Sequence, residues 1–222
     1  MGWHSGFAPY VPVAKRKRNA EQVVKALTKA GQAPMPVIID GRKITHTFWG
    51  NAWCQHLEDF SDYDNRLPRG RTYVRNGSVI DLKIIEGEIT ALVSGSSLYE
   101  VTIKINKIPS GQWQAIVQQC AGKIDSLIEL LQGKFSSAIM AILCDAKAGL
   151  LPSSADIHLH CSCPDWAVMC KHIAAVLYGV GARLDQQPEA LFLLRQADQR
   201  ELVTAASLNN WQTEVSADHD IQ

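Results

Sequence analysis

The stretch CSCPDWAVMCKH, residues 161–172, gathers three cysteines and a histidine in a chain that has six cysteines among 222 residues. Few features restrict a fold as strongly, because each chemistry open to such a cluster needs these side chains brought together in space. Three chemistries compete. A disulfide framework belongs to oxidising compartments. The opening MGWHSGFAPY lacks the charged segment and apolar run of a signal peptide, so a cytoplasmic location with reduced thiols is expected. A nucleophile needs one activated cysteine with a base and an orienting group, whereas here three thiols crowd together with no Asp or Asn in an evident third role. The Cys-x-x-Cys pair typical of redox helices is absent. A metal cage fits best. Cys161 and Cys163 suit a tight turn at a strand end, and Cys170 and His172 stand at the entry to the apolar segment Ile173 to Val180, read as a helix. Three thiolates and one imidazole complete a tetrahedron for Zn2+ and leave no position open for water, the mark of a structural site.

Other potential ligands are set aside. His158 and His160 lie on the alternating segment DIHLH, one exposed beside Asp156 and the other pointing away from Cys161. Cys54 and His56 repeat the Cys-x-His spacing without partner cysteines, and Cys120 and Cys144 fall in apolar helical segments. These three cysteines are expected to be plain buried residues.

Around the cluster the chain reads as α+β: an antiparallel β-meander packed with helices, plus a small module of strand, cysteine turn and helix near the C-terminus. Gly2 to Val13 reads as an extended arm. Lys15-Arg16-Lys17-Arg18 follows, then a helix over Ala20 to Ala30 with Asn19 as its cap and Gly31 at its end. After Pro34 and Pro36, Val37-Ile38-Ile39 and Lys43 to Thr47 read as a hairpin turning at Asp40-Gly41. In FWGNAWCQHLEDF, residues 48–60, Trp49, Trp53, Leu57 and Phe60 recur at helical spacing, which favours a core stripe over a base-stacking platform. The meander reads Arg71 to Arg75, turn Asn76-Gly77, Ser78 to Ile85, turn Glu86-Gly87, Glu88 to Ser94, and Tyr99 to Ile105. Helical stretches run from Ser110, with a break at Gly133, to the region of Lys147. Asp156 to His160 alternates as a strand, Leu191 to Arg195 forms a short helix, and the chain past Arg200 reads as a frayed polar tail. The expected division is a basic arm, helix and hairpin at 1–47, an α+β domain at 48–152, the finger and its following helix at 153–198, and a tail at 199–222.

The net charge of zero conceals a gradient. Residues 1–75 carry twelve Lys and Arg against six Asp and Glu, residues 76–152 six against seven, and residues 153–222 four against nine. A polyanion should therefore meet the front third of the chain rather than the acidic finger. Lys15, Arg16, Lys17 and Arg18, with Arg66, Arg69 and Arg71 of NRLPRGR, are the candidate contacts, because clustered Lys and Arg neutralise phosphates without reading sequence. Each set has a plainer alternative, a solvated face for the first and loop anchors for the second. Lys171 is a lesser candidate.

No paired carboxylates, phosphate loop or open metal site supports an enzyme or a small-molecule substrate. No apolar run approaches the roughly 18–20 residues that span a bilayer. Two non-enzymatic functions remain: binding of nucleic acid, with DNA the expected ligand, or an adaptor role between proteins. The acidity around the finger (Asp156, Asp165, Asp185, Glu189) favours the second.

The pattern C-x-C-x(6)-C-x-H, with Pro-Asp after the second cysteine and Lys before the histidine, resembles the SWIM zinc finger, and CSCPDWAVMCKHIAAVLY is similar to its bacterial form. FAPYVPVAKRKRNAE, FWGNAWCQHLE, NRLPRGRTYVRNGSVIDLKI, the Gly95-Ser96 turn and LFLLRQ look like stretches of stand-alone bacterial SWIM proteins, a likeness covering residues 7–200. One departure is Gln196, where the family leads one to expect glycine after the arginine. The resemblance implies a small strand-hairpin and helix zinc finger with metal ligands at Cys161, Cys163, Cys170 and His172. It also implies a role in nucleic-acid or protein binding beside a Swi/Snf-type helicase.

Overall fold

The alternating segments on either side of the Glu86-Gly87 turn form the centre of the fold. The computed structural model describes residues 11–59, 66–121, 123 and 135–205. Most of the expected arm, Phe60 of the aromatic stripe, the Gly133 break and most of the polar tail lie outside the described residues. Four strands, β1 (Val79–Ile85), β2 (Glu88–Ser94), β3 (Leu98–Ile105) and β4 (Ile157–Cys161), form one antiparallel sheet in that order. The period-two alternation puts Ile89, Ala91 and Val93 of β2 and Val101, Ile103 and Ile105 of β3 on the buried face. Ile103 sits between Ile89 on one side and Leu159 on the other, and Val101 lies opposite Cys161. The strand that delivers the first cysteine is thus the fourth strand of the main sheet.

The helices are α1 (Val13–Lys29), α2 (Phe48–Glu58), α3 (Leu67–Arg75), α4 (Ser110–Ala121), α5 (Ser137–Leu143), α6 (Lys171–Leu184) and α7 (Ala190–Arg195). KHIAAVLYGVGARL, the sequence of α6, is apolar almost all round, the pattern of a fully buried helix. Eleven of its fourteen residues are buried. It touches every strand of the sheet on one side and α2 and α3 on the other. Burying a Val, Leu or Ile side chain is worth about 1.5–3 kcal/mol, so α6 is the organising element of the core.

Small residues let the neighbours approach α6 closely. A Cβ on Gly70 of α3 would lie 2.5 Å from Ala174 Cβ and 2.9 Å from the Ala174 carbonyl carbon. Glycine inside a helix costs about 1 kcal/mol relative to alanine; here the packing distance accounts for its presence. Trp49, Trp53 and Leu57 of α2 are buried, as the helical spacing of the stripe implied. The Trp53 indole Nε1–H donates to the Leu177 carbonyl at 2.9 Å. Asp185, at the C-terminal end of α6, accepts from the backbone amides of His46 and Thr47 and from the Thr47 hydroxyl, which fixes the start of α2.

Four local readings differ from the structure. Residues 200–205, read as the start of a frayed tail, are helical, because Leu202 is buried in the core. Residues 71–75 belong to α3 and not to a strand. Thr72, Tyr73 and Val74 have strand propensity, but Leu67, Gly70 and Val74 recur at helical spacing and are buried, with Pro68 in the first turn. The segment 37–47 forms no hairpin of its own. Val37 and, just before the segment, Met35 bond to the outer edge of β1 instead, through Val37 N–H to Val79 O and Leu82 N–H to Met35 O, while Pro34 and Pro36 bring no amide donors. Finally, α1 begins at Val13 with Pro12 as its N-cap, not at Ala20 behind Asn19, so Lys15 to Arg18 lie within the helix. It ends as expected at Gly31, where φ is +79° and Gln32 N–H reaches back to Leu27 O.

Candidate metal centre

The end of β4, the turn after it and the first turn of α6 converge. Cys161 closes β4, Cys163 follows after one residue, Cys170 is the N-cap of α6 and His172 lies in its first turn. The ligand atoms of all four lie within 4.8 Å of one another. Nδ1 of His172 is 3.8 Å from the sulfurs of both Cys161 and Cys170. Zn–S bonds of about 2.3 Å and a Zn–N bond of about 2.0–2.1 Å would place tetrahedral donors about 3.6–3.8 Å apart. The four side chains therefore fit a single ion with a contraction of no more than about 1 Å in the widest pair. Three sulfurs and an imidazole nitrogen are a donor set that favours zinc, and all four tetrahedral positions are filled by protein.

The electrostatics point the same way. The Cys170 thiol is pulled down to about 3 by a hydrogen bond from Cys161, aided by His172 and the Ile173 amide and opposed by burial. Cys161 is pushed far up by that same hydrogen bond and by burial, and Cys163 is raised chiefly by burial. Without an ion, then, the three thiols are driven in opposite directions, Cys170 toward the thiolate and the other two toward the thiol. A divalent cation at the centre reverses this, because a coordinating thiol is deprotonated outright.

His172 is only 1% exposed, and its far nitrogen, Nε2, has no hydrogen-bond partner among the described residues. Rings hold it instead. Tyr99 of β3 stacks on the imidazole at 4.4 Å between centroids, and Tyr73 of α3 meets its edge at 5.3 Å. Gly95 completes the cradle, since a Cβ there would lie 2.8 Å from the Tyr99 ring and 3.1 Å from Nε2. Tyr73, Gly95 and Tyr99 orient the ligand, and spacing along the sequence carries no signal for them.

The remaining cysteines sit apart from this cluster. Burial pushes the thiols of Cys54 and Cys144 up to about 12 and that of Cys120 up to about 11. Cys120 is fully buried and the other two are half-buried. His158 is exposed and bonds to Asn106, and His160 is exposed.

The candidate phosphate contacts have differing surroundings. Lys15, Lys17 and Arg18 are exposed on α1, but Arg16 is buried, with its guanidinium 4.3 Å above the Tyr73 ring. Lys171 approaches that same ring at 5.9 Å, so basic helix and finger meet on one tyrosine beside the metal ligands. Arg66 forks onto Asp165 of the finger loop at 3.0 and 3.3 Å. Arg71 bonds to Glu58 at 2.5 Å and to the Tyr178 hydroxyl at 2.9 Å, and Arg69 is exposed. The two paired arginines have the geometry of anchors.

Other cations line two adjoining clefts. The first, of about 380 Å³, lies between α1 and residues 36–39 and includes Lys17, Glu21, Lys25 and Arg75. The second, of about 260 Å³, includes Arg42, Lys43, Glu58, Arg71, Arg75 and Tyr178. Arg75 lines both. Lys25, Arg42, Lys43 and Arg75 are scattered in sequence, and only the fold assembles them.

The profile of the family described as SWIM zinc finger matches residues 150–180, which contain all four ligands. The chain is 32% identical over 197 residues to the uncharacterized protein Rv2102 of Mycobacterium tuberculosis, an alignment that covers 87% of this chain and 67% of the mycobacterial one. No solved structure matches the chain. No helix among the described residues is long and apolar enough to cross a membrane.

Proposed function

Because the chain belongs to the SWIM zinc-finger family, we propose that it is a non-enzymatic zinc-binding protein of the cytoplasm that holds nucleic acid, with DNA the expected ligand, on a basic surface next to its metal centre. The observation that carries this reading is the pair of clefts joined at Arg75, lined by six Lys and Arg side chains and two carboxylates. One of those carboxylates, Glu58, is already engaged by Arg71 and Tyr178. A groove with such an excess of positive charge suits a phosphate backbone and provides affinity without base readout. The metal's part is structural: it would fix β4 to α6 and, through His172 and Tyr73, hold Arg16 and Lys171 in place. Partnership with a Swi/Snf-type helicase belongs to the same proposal and draws its support from the family alone.

The test is affinity against salt for oligonucleotides, comparing the wild type with Arg75→Gln and with Lys17→Ala/Lys25→Ala. Removing one cation that neutralises a phosphate should weaken binding and flatten the slope of log K against log[salt] by about 0.7–0.9. Wild-type protein that binds no oligonucleotide at low salt would remove the proposal and leave the adaptor role between proteins.

A further inference from the structure

Trp166 is 90% exposed and Val168 is 70% exposed, both in the loop between the second and third cysteines of the cluster. A tryptophan that gives up burial is rare in a folded chain, and a rigid apolar group held out in water marks a contact surface. The loop is well pinned. Cys163 and Cys170 tie its two ends to the metal cage. Asp165 receives the forked Arg66 guanidinium and also accepts from the Ala167 amide at 3.3 Å. The indole has no ring partner of its own among the described residues, so a fixed loop presents it to something outside the chain.

The charges nearby indicate what that is. Arg66, at the N-terminal end of α3, holds the loop, and Arg75, at the other end, lines both basic clefts. Arg66 and Arg75 thus stand at the two ends of one nine-residue helix, about 13 Å along its axis. Arg69 is exposed on the same helix, and Lys171 opens the helix that follows the loop. A backbone-tracking cationic groove combined with a free aromatic face is the arrangement that binds unpaired bases, whereas a duplex keeps its base faces stacked inside.

We propose that Trp166 is a stacking platform for an unpaired nucleobase, and that the ligand is single-stranded nucleic acid. The proposal rests on the nucleic-acid reading above and specifies its ligand. The experiment uses the full metal-loaded chain with single-stranded and duplex oligonucleotides of equal length, at several salt concentrations, for wild type, Trp166→Ala, Trp166→Phe and Arg75→Gln. Trp166→Ala should lose about 10- to 100-fold in single-strand affinity with its salt slope unchanged, since stacking is removed and no charge is. Trp166→Phe should recover most of that affinity, and duplex binding should be little affected by either. Arg75→Gln should flatten the slope on both ligands. Part of the intrinsic fluorescence should be quenched when single strands bind wild type, and that part should vanish in Trp166→Phe. If Trp166→Ala binds single strands as well as wild type does, the platform is refuted while the basic groove stands. Equal losses on both ligands, or a lowered zinc content, would assign Trp166 a structural role and also refute it. Wild type that binds neither ligand removes the underlying reading as well.

Discussion

Gln196 supports a stability experiment whose outcome can be ordered in advance. It is the only described non-glycine residue with positive φ, at 53° with ψ 42°, and it ends α7. Ala197 N–H reaches back to Phe192 O and Gln196 N–H to Leu193 O, so the left-handed residue closes a Schellman-type end. For a residue with a Cβ that conformation costs about 1–2 kcal/mol. Glycine would remove the cost but forfeit about 0.5–1 kcal/mol through the freer unfolded chain. It would also take away the Gln196 carboxamide that packs on the β1–β2 turn, where a Cβ on Gly87 would meet Nε2 at 2.6 Å. The balance favours Gln196→Gly by about 0.5 kcal/mol, a rise in unfolding midpoint of about 1–2 °C in a chain of this size. Gln196→Ala keeps the strain without the carboxamide packing, so it should fall slightly below wild type. Gln196→Val adds a β-branch in the left-handed region, where such side chains are outliers, and should lie about 1 kcal/mol or more below wild type. The assay is thermal and urea unfolding of the four proteins side by side. A valine variant as stable as wild type, or a glycine variant clearly weaker, would show that strain does not govern this helix end.

Metal analysis should find one zinc per chain, absent from Cys163→Ser and from Cys170→Ser but retained in Cys54→Ala and Cys144→Ala; full retention in the first pair would sink the ligand assignment. Chelation should lower the unfolding midpoint by about 10 °C or more, in a single transition because β4 and α6 belong to the main core; separate finger and sheet transitions would count against that. Alkylation at neutral pH should leave Cys54, Cys120 and Cys144 of the folded protein unmodified, since burial keeps those thiols protonated; mass spectrometry after chelation should find the first adduct on Cys170, the cluster thiol that is pulled down. Gly70→Ala should cost about 1–3 kcal/mol by forcing α3 away from α6, and Ala174→Gly in the same chain should recover part of it; no loss of stability in the single variant would mean that the two helices separate freely.

The meander, the glycine end of α1 and the four-residue cluster are legible in the sequence because each follows from local rules: period-two alternation, a turn glycine, ligand spacing. Residues 71–75 mislead because β-branched and aromatic residues look like a strand until α6 is known to cover Leu67, Gly70 and Val74. The 37–47 segment misleads because its natural partner is the edge of β1, about forty residues on, and not itself. The departure at Gln196 draws attention to the residue that proves to be left-handed, although no local rule reveals its conformation. Charge clustering locates the basic third of the chain but not the cleft, whose arginines and lysines come from α1, α3 and the loop between residues 41 and 45. For the same reason, the aromatics that hold His172 and the exposure of Trp166 cannot be read before the fold is known.

The placement of α6 also dictates a timetable. Trp53 donates its indole proton to Leu177, 124 positions further along the chain. At synthesis rates of about 5–20 residues per second, the tryptophan face of α2 emerges about 6–25 s before the helix that covers it. The β1–β2–β3 meander can pair meanwhile, since its turns are local, but α2 and α3 must wait with their apolar sides open to water. A nascent chain halted before residue 171 would therefore display Trp49, Trp53, Leu57 and Leu67 together, a sticky intermediate that chaperones would have to shelter until the ribosome delivers α6.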